Sequence, residues 1–218
     1  MTHIRCFAAL QQSRRCFFQT ATASALFSAA SGHAAETGVN VFGPRPGYSP
    51  QIGTLVSEMV WMRETVLHSV KGMTQDQLDF LLDNRANRTG TLLLHLAATE
   101  TLYQLNTFDN VGPNELGKNP AFKDWGVAME LGEPARQAIK KHDLNYYLNR
   151  LRDVREKTFA EFRKRDDGWL MAVDKKWPWG PTNNLCKWFH VCEHESHHAG
   201  QIAILKSRAP GAKPESGG

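Results

Sequence analysis

Past residue 36 the 218-residue sequence has no run approaching the roughly 18 uninterrupted apolar residues that a membrane-spanning helix needs, so stable membrane insertion is not expected. Cysteine is scarce, with four in all, and Cys6 and Cys16 fall near the N-terminus. The remaining pair, Cys186 and Cys192, sit six residues apart on what reads as one helix. At 100° per residue they point roughly 240° apart, which excludes a bridge between them and with it a disulfide scaffold. Basic charge is also thin. The formal net charge is +4, but Arg5, Arg14 and Arg15 precede the first acidic residue, Glu36, so the rest is close to neutral and offers no basic face to nucleic acid. No run alternates apolar and polar residues as an exposed strand would. No histidine follows His198.

What the first 35 residues do contain is the layout of an export signal. Ser13-Arg14-Arg15-Cys16-Phe17-Phe18 precedes a modestly apolar run, Thr20 to Ala30, and then the small residues before Glu36. Paired arginines followed by two phenylalanines resemble a twin-arginine signal, which implies a periplasmic or secreted protein cleaved after Ala34 or Ala35. An acid-free, Arg- and Ser-rich leader also suits a mitochondrial transit peptide, and a disordered N-terminus is the plain alternative. The organisation expected is therefore a signal peptide at 1–35, a Gly/Pro-rich exposed linker at 36–50, one helical domain at 51–209 and a disordered tail at 210–218. About 180 residues fit one domain with a single core.

Within that domain the apolar spacing is helical throughout. Ile52, Leu55, Met59, Met62, Val66 and Val70 step by three and four, and Gly72 ends the first helix. Thr89 caps a second, which runs to about Phe108 and is apolar almost all round, so it belongs at the centre. A connection from Asp109 to Lys141, broken by Pro113, Pro120 and Pro134, is long enough to cross between helices that are not antiparallel neighbours, with Phe122 and Trp125 folding back over the bundle. The third helix runs from Leu144 to Arg165, with Leu144, Leu148, Leu151, Val154, Thr158 and Phe162 inward and its Arg, Lys and Glu outward. Thr182 or Asn183 caps the fourth, which ends before Pro210. The fold class expected is all-α, a four-helix bundle with a long crossover.

The chemistry concentrates on histidine. His190, His194, His197 and His198 lie within nine residues of the fourth helix, and His95 lies among leucines and alanines on the second. Residues four apart share a helix face about 6 Å apart along the axis, so His190/His194 and His194/His198 can each grip one ion at about 2.1 Å. All three cannot share it, because His190 and His198 are about 12 Å apart along the axis. One by one, each histidine is ordinarily a hydrogen-bonded core or surface residue. Four together, and a fifth where an unpartnered imidazole costs about 1–3 kcal/mol, point to a metal site.

The run Trp188-Phe189-His190-Val191-Cys192-Glu193-His194-Glu195-Ser196-His197-His198-Ala199-Gly200-Gln201-Ile202 resembles the C-terminal helix of the DinB family, with its His-x-x-x-His pair followed by Gly-Gln. Leu94-His95-Leu96-Ala97-Ala98-Thr99-Glu100 resembles that family's first ligand segment, and the likeness extends over about residues 51 to 208. The resemblance implies a DinB-like four-helix bundle in which His95, His194 and His198 hold a divalent ion such as zinc, nickel or iron. It also implies a metal-dependent hydrolase or transferase acting on a small molecule, since some members use low-molecular-weight thiols. A homodimer is compatible with this reading. His190 and Glu100 are the further catalytic candidates, although Glu100, about 140° round its helix from His95, reads better as a supporting or salt-bridging residue.

Two other readings share these residues. His194-Glu195-Ser196-His197-His198 matches the His-Glu-x-x-His helix of zinc metallopeptidases, in which the glutamate is the general base. Those enzymes need a third ligand, usually downstream, and here only Glu215 follows, in a Gly/Pro-rich tail. In a bundle, Glu195 would instead be solvated or support a ligand. A non-enzymatic metal-binding or structural bundle is the remaining class. Among lesser candidates, His197 faces away from the ion or lines its rim, Cys186 reads as a small core residue, and His68 and His142 as surface. Trp177, Trp179 and Trp188 could wall a pocket above the metal or simply pack.

Overall fold

A computed structural model describes residues 38–212; the leader with its cleavage site and the end of the tail, 213–218, lie outside the described residues. Four long helices dominate: α1 (Pro50–Val70), α3 (Thr89–Thr107), α6 (Leu144–Phe162) and α8 (Asn184–Arg208). Shorter helices α2 (Gln75–Leu78), α4 (Gly126–Glu130), α5 (Gly132–Ala138) and α7 (Asp167–Met171) sit in the connections. The protein is an all-α bundle, as its apolar periodicity requires.

Helix α3 is central, with nearly every residue buried, because it lies against both α6 and α8 while α1 lies chiefly on α8. Side-chain pairs give the directions. Glu100 meets Arg155 and Gln104 meets Thr158, so α3 and α6 run parallel; Tyr103 meets His190 and Asn106 meets Lys187, so α3 and α8 run antiparallel. Two parallel neighbours need a crossover, and residues 108–143 supply it through two 3₁₀ turns, Pro113–Lys118 and Pro120–Trp125, followed by α4 and α5. Phe122 and Trp125 are buried against the bundle.

Several helix boundaries follow from capping. Asp143, Asp166 and Asn183 each accept a backbone N–H from the first turn of α6, α7 and α8. Thr89 is the first residue of its helix rather than the cap, which is Arg88.

The structure also departs from the sequence reading. Residues 38–49 are largely exposed but touch the bundle: Gly43 N–H donates to Ser57 Oγ, and Tyr48 packs edge-on against Phe159. The backbone of Arg45 lies so close to α1 that a Cβ at Gly53 would meet it at 2.4 Å, which only glycine allows. A two-residue antiparallel hairpin, β1 (Val173–Asp174) with β2 (Thr182–Asn183), closes the Trp177–Gly180 turn where no strand was expected. Leu144, Leu148 and Met62 are only half-buried. Two arginines are buried as well, Arg63 on α1 and Arg155 on α6, the latter among the charges expected to face outward. Trp188 is fully buried core, stacked on Phe108, and Cys186 is exposed rather than core. Ala209 is buried, and past the expected start of the tail Ala212 N–H donates to its carbonyl in a turn.

Candidate metal centre

His95 enters from α3 and His194 and His198 from successive turns of α8. The antiparallel crossing of the two helices brings the three rings together, with Nε2 of His194 2.8 Å from Nε2 of His95 and 3.2 Å from Nε2 of His198. Two imidazole nitrogens on one tetrahedral ion lie about 3.3 Å apart, given bonds of about 2.0–2.1 Å. The other ring nitrogens explain the orientation. His95 Nδ1–H donates to the Ala128 carbonyl at 3.0 Å, and His198 Nδ1–H donates to Gln201 Oε1 at 2.8 Å. With their protons committed outward, both rings turn a lone pair inward. His194 Nε2 can offer a proton to only one of those two lone pairs at a time, whereas a cation at the centre serves all three nitrogens. The donor set therefore fits a divalent ion.

Burial lowers the pKa of all three rings. His194 is pulled down to about 3, first by desolvation and then by His198 and the other imidazoles; His198 is pulled to about 4, again chiefly by desolvation. His95 is lowered by desolvation, partly offset by the Ala128 and Met129 carbonyls. Above the ordinary value of 6.5 these groups are neutral whether folded or not. Below it the unfolded chain takes up protons that the folded cluster refuses, so stability is lost as pH falls from 6.5 through about 4. Urea titrations of metal-free protein are expected to show the midpoint dropping across that window, and a midpoint flat from pH 7 to 4 would contradict it.

His190 lies one turn before His194, its ring centroid 5.0 Å away. Tyr103 O–H donates to His190 Nδ1 at 2.8 Å. Burial, and after it Cys186 and Glu193, raises the Tyr103 pKa, so the hydroxyl keeps its proton and His190 carries its own on Nε2. Trp179 packs edge-on against His190 and remains 58% exposed at the rim. The turn bearing it is anchored by Lys187, which is buried, donates to Asn106 Oδ1 and Asp174 Oδ2, and lies 4.3 Å from the Trp177 ring. His190, Glu193 and His194 form a second group with metal-ligand spacing among the described residues. Its carboxylate is exposed, and one nitrogen of His190 is already engaged by Tyr103. His197 is exposed and touches only Gln201 Nε2 among polar partners. His68 is exposed and His142 stacks on Tyr146, both away from the cluster.

Glu100 and Glu195 belong elsewhere. Both are buried in a network with Arg63 and Arg155 that ties α1, α3, α6 and α8 together. Arg155 Nε donates to Glu100 Oε1 and its Nη2 to Glu195 Oε1, each at 2.8 Å; Arg63 Nε donates to Glu195 Oε1 at 2.8 Å and its Nη2 to Glu100 Oε2 at 3.0 Å. The remaining guanidinium N–H groups reach the Leu151 and Met59 carbonyls, and Thr158 Oγ1 donates to Glu100 Oε1. Burial alone would raise the pKa of Glu100, but Arg155 and Arg63 outweigh it and hold the carboxyl below its usual range. Glu100 is thus no acid or base for the cluster, and Glu195 is neither solvated nor free to serve as a peptidase base.

The sequence reading missed Arg63, Arg155, Tyr103 and Ala128. A charged residue at an apolar seam position was the available signal for both arginines, since Arg63 follows Met59 by four and Arg155 follows Leu151 by four. Gln201 was noted as part of a motif without a role, and the structure supplies one in orienting His198. Nothing in the structure explains Gly200, beside which a side chain would meet open space.

No curated protein matches the chain. Residues 54–211 match the model of a family described as mycothiol-S-transferase, within the DinB-like superfamily. That match takes in all but the first turn of α1, every later helix and every histidine of the cluster, so the chain belongs to the mycothiol-S-transferase family.

Proposed function

We propose that this protein is a metal-dependent transferase that joins a low-molecular-weight thiol to an electrophilic small molecule, with His95, His194 and His198 holding one divalent ion. The observation that carries the reading is the convergence of three Nε2 atoms, two of them with their N–H groups committed outward, in a member of this family. Three neutral imidazoles leave an ion its full charge and an open position, so that when bound it stabilises an anionic sulfur or oxygen beside it. Nitrogen ligands suit zinc, nickel or iron.

The surrounding residues have their own tasks. Ala128 and Gln201 keep His95 and His198 in the tautomer with Nε2 unprotonated. Tyr103 holds His190 in the tautomer with its proton on Nε2, a hydrogen-bond donor beside His194 for a substrate acceptor atom. The Trp177–Trp179 turn, anchored by Lys187, shields this side from water. The peptidase reading lacks a base because Glu195 is held by two arginines. The leader supports a further proposal, that the protein acts outside the cytoplasm.

Protein purified from its native cells should contain close to one divalent ion per chain and begin near Ala35 or Glu36. With a thiol and a haloalkyl or epoxide electrophile, it should consume thiol and lose that activity on chelation. A metal-bearing preparation inactive with every thiol tried would favour the non-enzymatic bundle, and an N-terminus at Met1 in cytoplasmic protein would end the export proposal.

A further inference from the structure

A cleft of about 360 Å³ opens between the crossover and the Trp177-Pro178 turn. That size is in the range of small-molecule sites. On α3, His95, Thr99 and Leu102 follow at spacings of four and three, so they form one ridge that leads from the histidine cluster to Leu102 in the cleft wall. The crossover links the same two places and touches this ridge between them. Thr99 Oγ1 lies 3.9 Å from Met129 Sδ; Met129 lines the cleft, and its neighbour Ala128 accepts the His95 N–H.

The lining is apolar and aromatic, with Leu102, Phe122, Met129 and Trp177, and its one formal charge is the carboxylate of Glu130. Such a wall favours an aromatic ring through area burial and sulfur–aromatic contact, and it disfavours an anion. Gly126 also lines the cleft. Its φ of −54° and ψ of −50° are ordinary helix, which any residue adopts, and a Cβ there would meet nothing within 4 Å. The backbone does not require glycine at this position; its effect is to leave the cleft open.

We propose that this cleft receives the electrophilic substrate of the transfer, an uncharged molecule with an apolar, aromatic-ring-sized group, and that Glu130 excludes anionic analogues. The assignment rests on the transferase reading above, but its test needs neither metal nor turnover. N-phenyl-1-naphthylamine is a neutral probe whose emission rises in apolar surroundings, and 1-anilinonaphthalene-8-sulfonate is the same fluorophore with a sulfonate added. The neutral probe should bind metal-free protein saturably and at least about tenfold more tightly than the sulfonate. Gly126→Leu should weaken the neutral probe about tenfold or more with an unchanged circular dichroism spectrum, and Glu130→Gln should narrow the gap between the probes.

If Gly126→Leu does not fold, Gly117→Leu fills the cleft from the neighbouring 3₁₀ turn, where a side chain also meets open space. A wider apolar groove, lined by Trp61, Leu185 and Phe189, is the competing site, and Phe189→Ser should leave probe binding unchanged. Unchanged affinity in a folded Gly126→Leu or Gly117→Leu variant, loss of binding in Phe189→Ser, or equal affinity for both probes would overturn the proposal. Absence of bound metal from native protein would sink the transferase reading and leave this result standing.

Discussion

Glu100→Ala is expected to destabilise the protein by about 3–5 kcal/mol, the cost of breaking a buried ion network from one side. For a domain of this size that corresponds to a fall in Tm of roughly 6–20 °C. The magnitude comes from what remains. Arg63 and Arg155 would be left with Glu195 alone, so about one positive charge would lie uncompensated beside four helices, and Thr158 Oγ1 would keep only its longer bond to the Val154 carbonyl. Glu195→Gln should act in the same direction.

Replacing all four members with apolar residues of similar volume should cost far less than either single change, and can come out neutral, because the desolvation of the ions disappears with them. A loss below about 1 kcal/mol for Glu100→Ala in urea unfolding would show that the network is solvated in solution, contrary to its burial. The network matters to the site because of where it attaches. Glu100 is five residues after His95 and Glu195 one after His194, so the ion pairs fix the rotation of α3 and α8 about their own axes and aim the histidines from behind. Metal affinity is therefore expected to fall in Glu195→Gln even though Glu195 touches no ligand.

His95→Ala, His194→Ala and His198→Ala should each lose most of the bound metal, a larger loss than the roughly 10–100-fold that follows removal of a group merely orienting a ligand. Gln201→Leu should fall within that smaller range, since it removes only the acceptor for His198 Nδ1–H. His197→Ala should keep full occupancy, because its ring is exposed and outside the cluster. His190→Ala should also keep it. Metal analysis after dialysis reads all six. Retention of metal by His95→Ala with loss in His190→Ala would move the ion to the group formed by His190, Glu193 and His194. Circular dichroism is expected to show every variant still helical, since the core is leucine and aromatic packing.

The residues within one helix were legible from order alone. Apolar residues three and four apart required a bundle, a helix apolar all round required a central place, and histidines four apart required a shared face, because the period of the α-helix is a local property of the backbone. The proline-broken stretch before Leu144 was likewise enough to require a crossover, and α3 and α6 do run parallel.

What only the tertiary structure decided is which polar groups meet across helices. Arg155 follows Leu151 by four and precedes Thr158 by three, so helical period puts it on the inward face that Arg152 misses, yet a guanidinium there can as well bend out to solvent as be buried. The difference is made by Glu100 and Glu195, carboxylates 55 and 40 residues away in sequence, without which burial of a guanidinium would be prohibitive. The same holds for the Ala128 carbonyl that orients His95 from 33 residues away and for Tyr103, which reaches His190 across 87. A hydrogen bond depends on tenths of an ångström between chain-distant atoms, and helical period carries no information about that; only the packing of the whole bundle does.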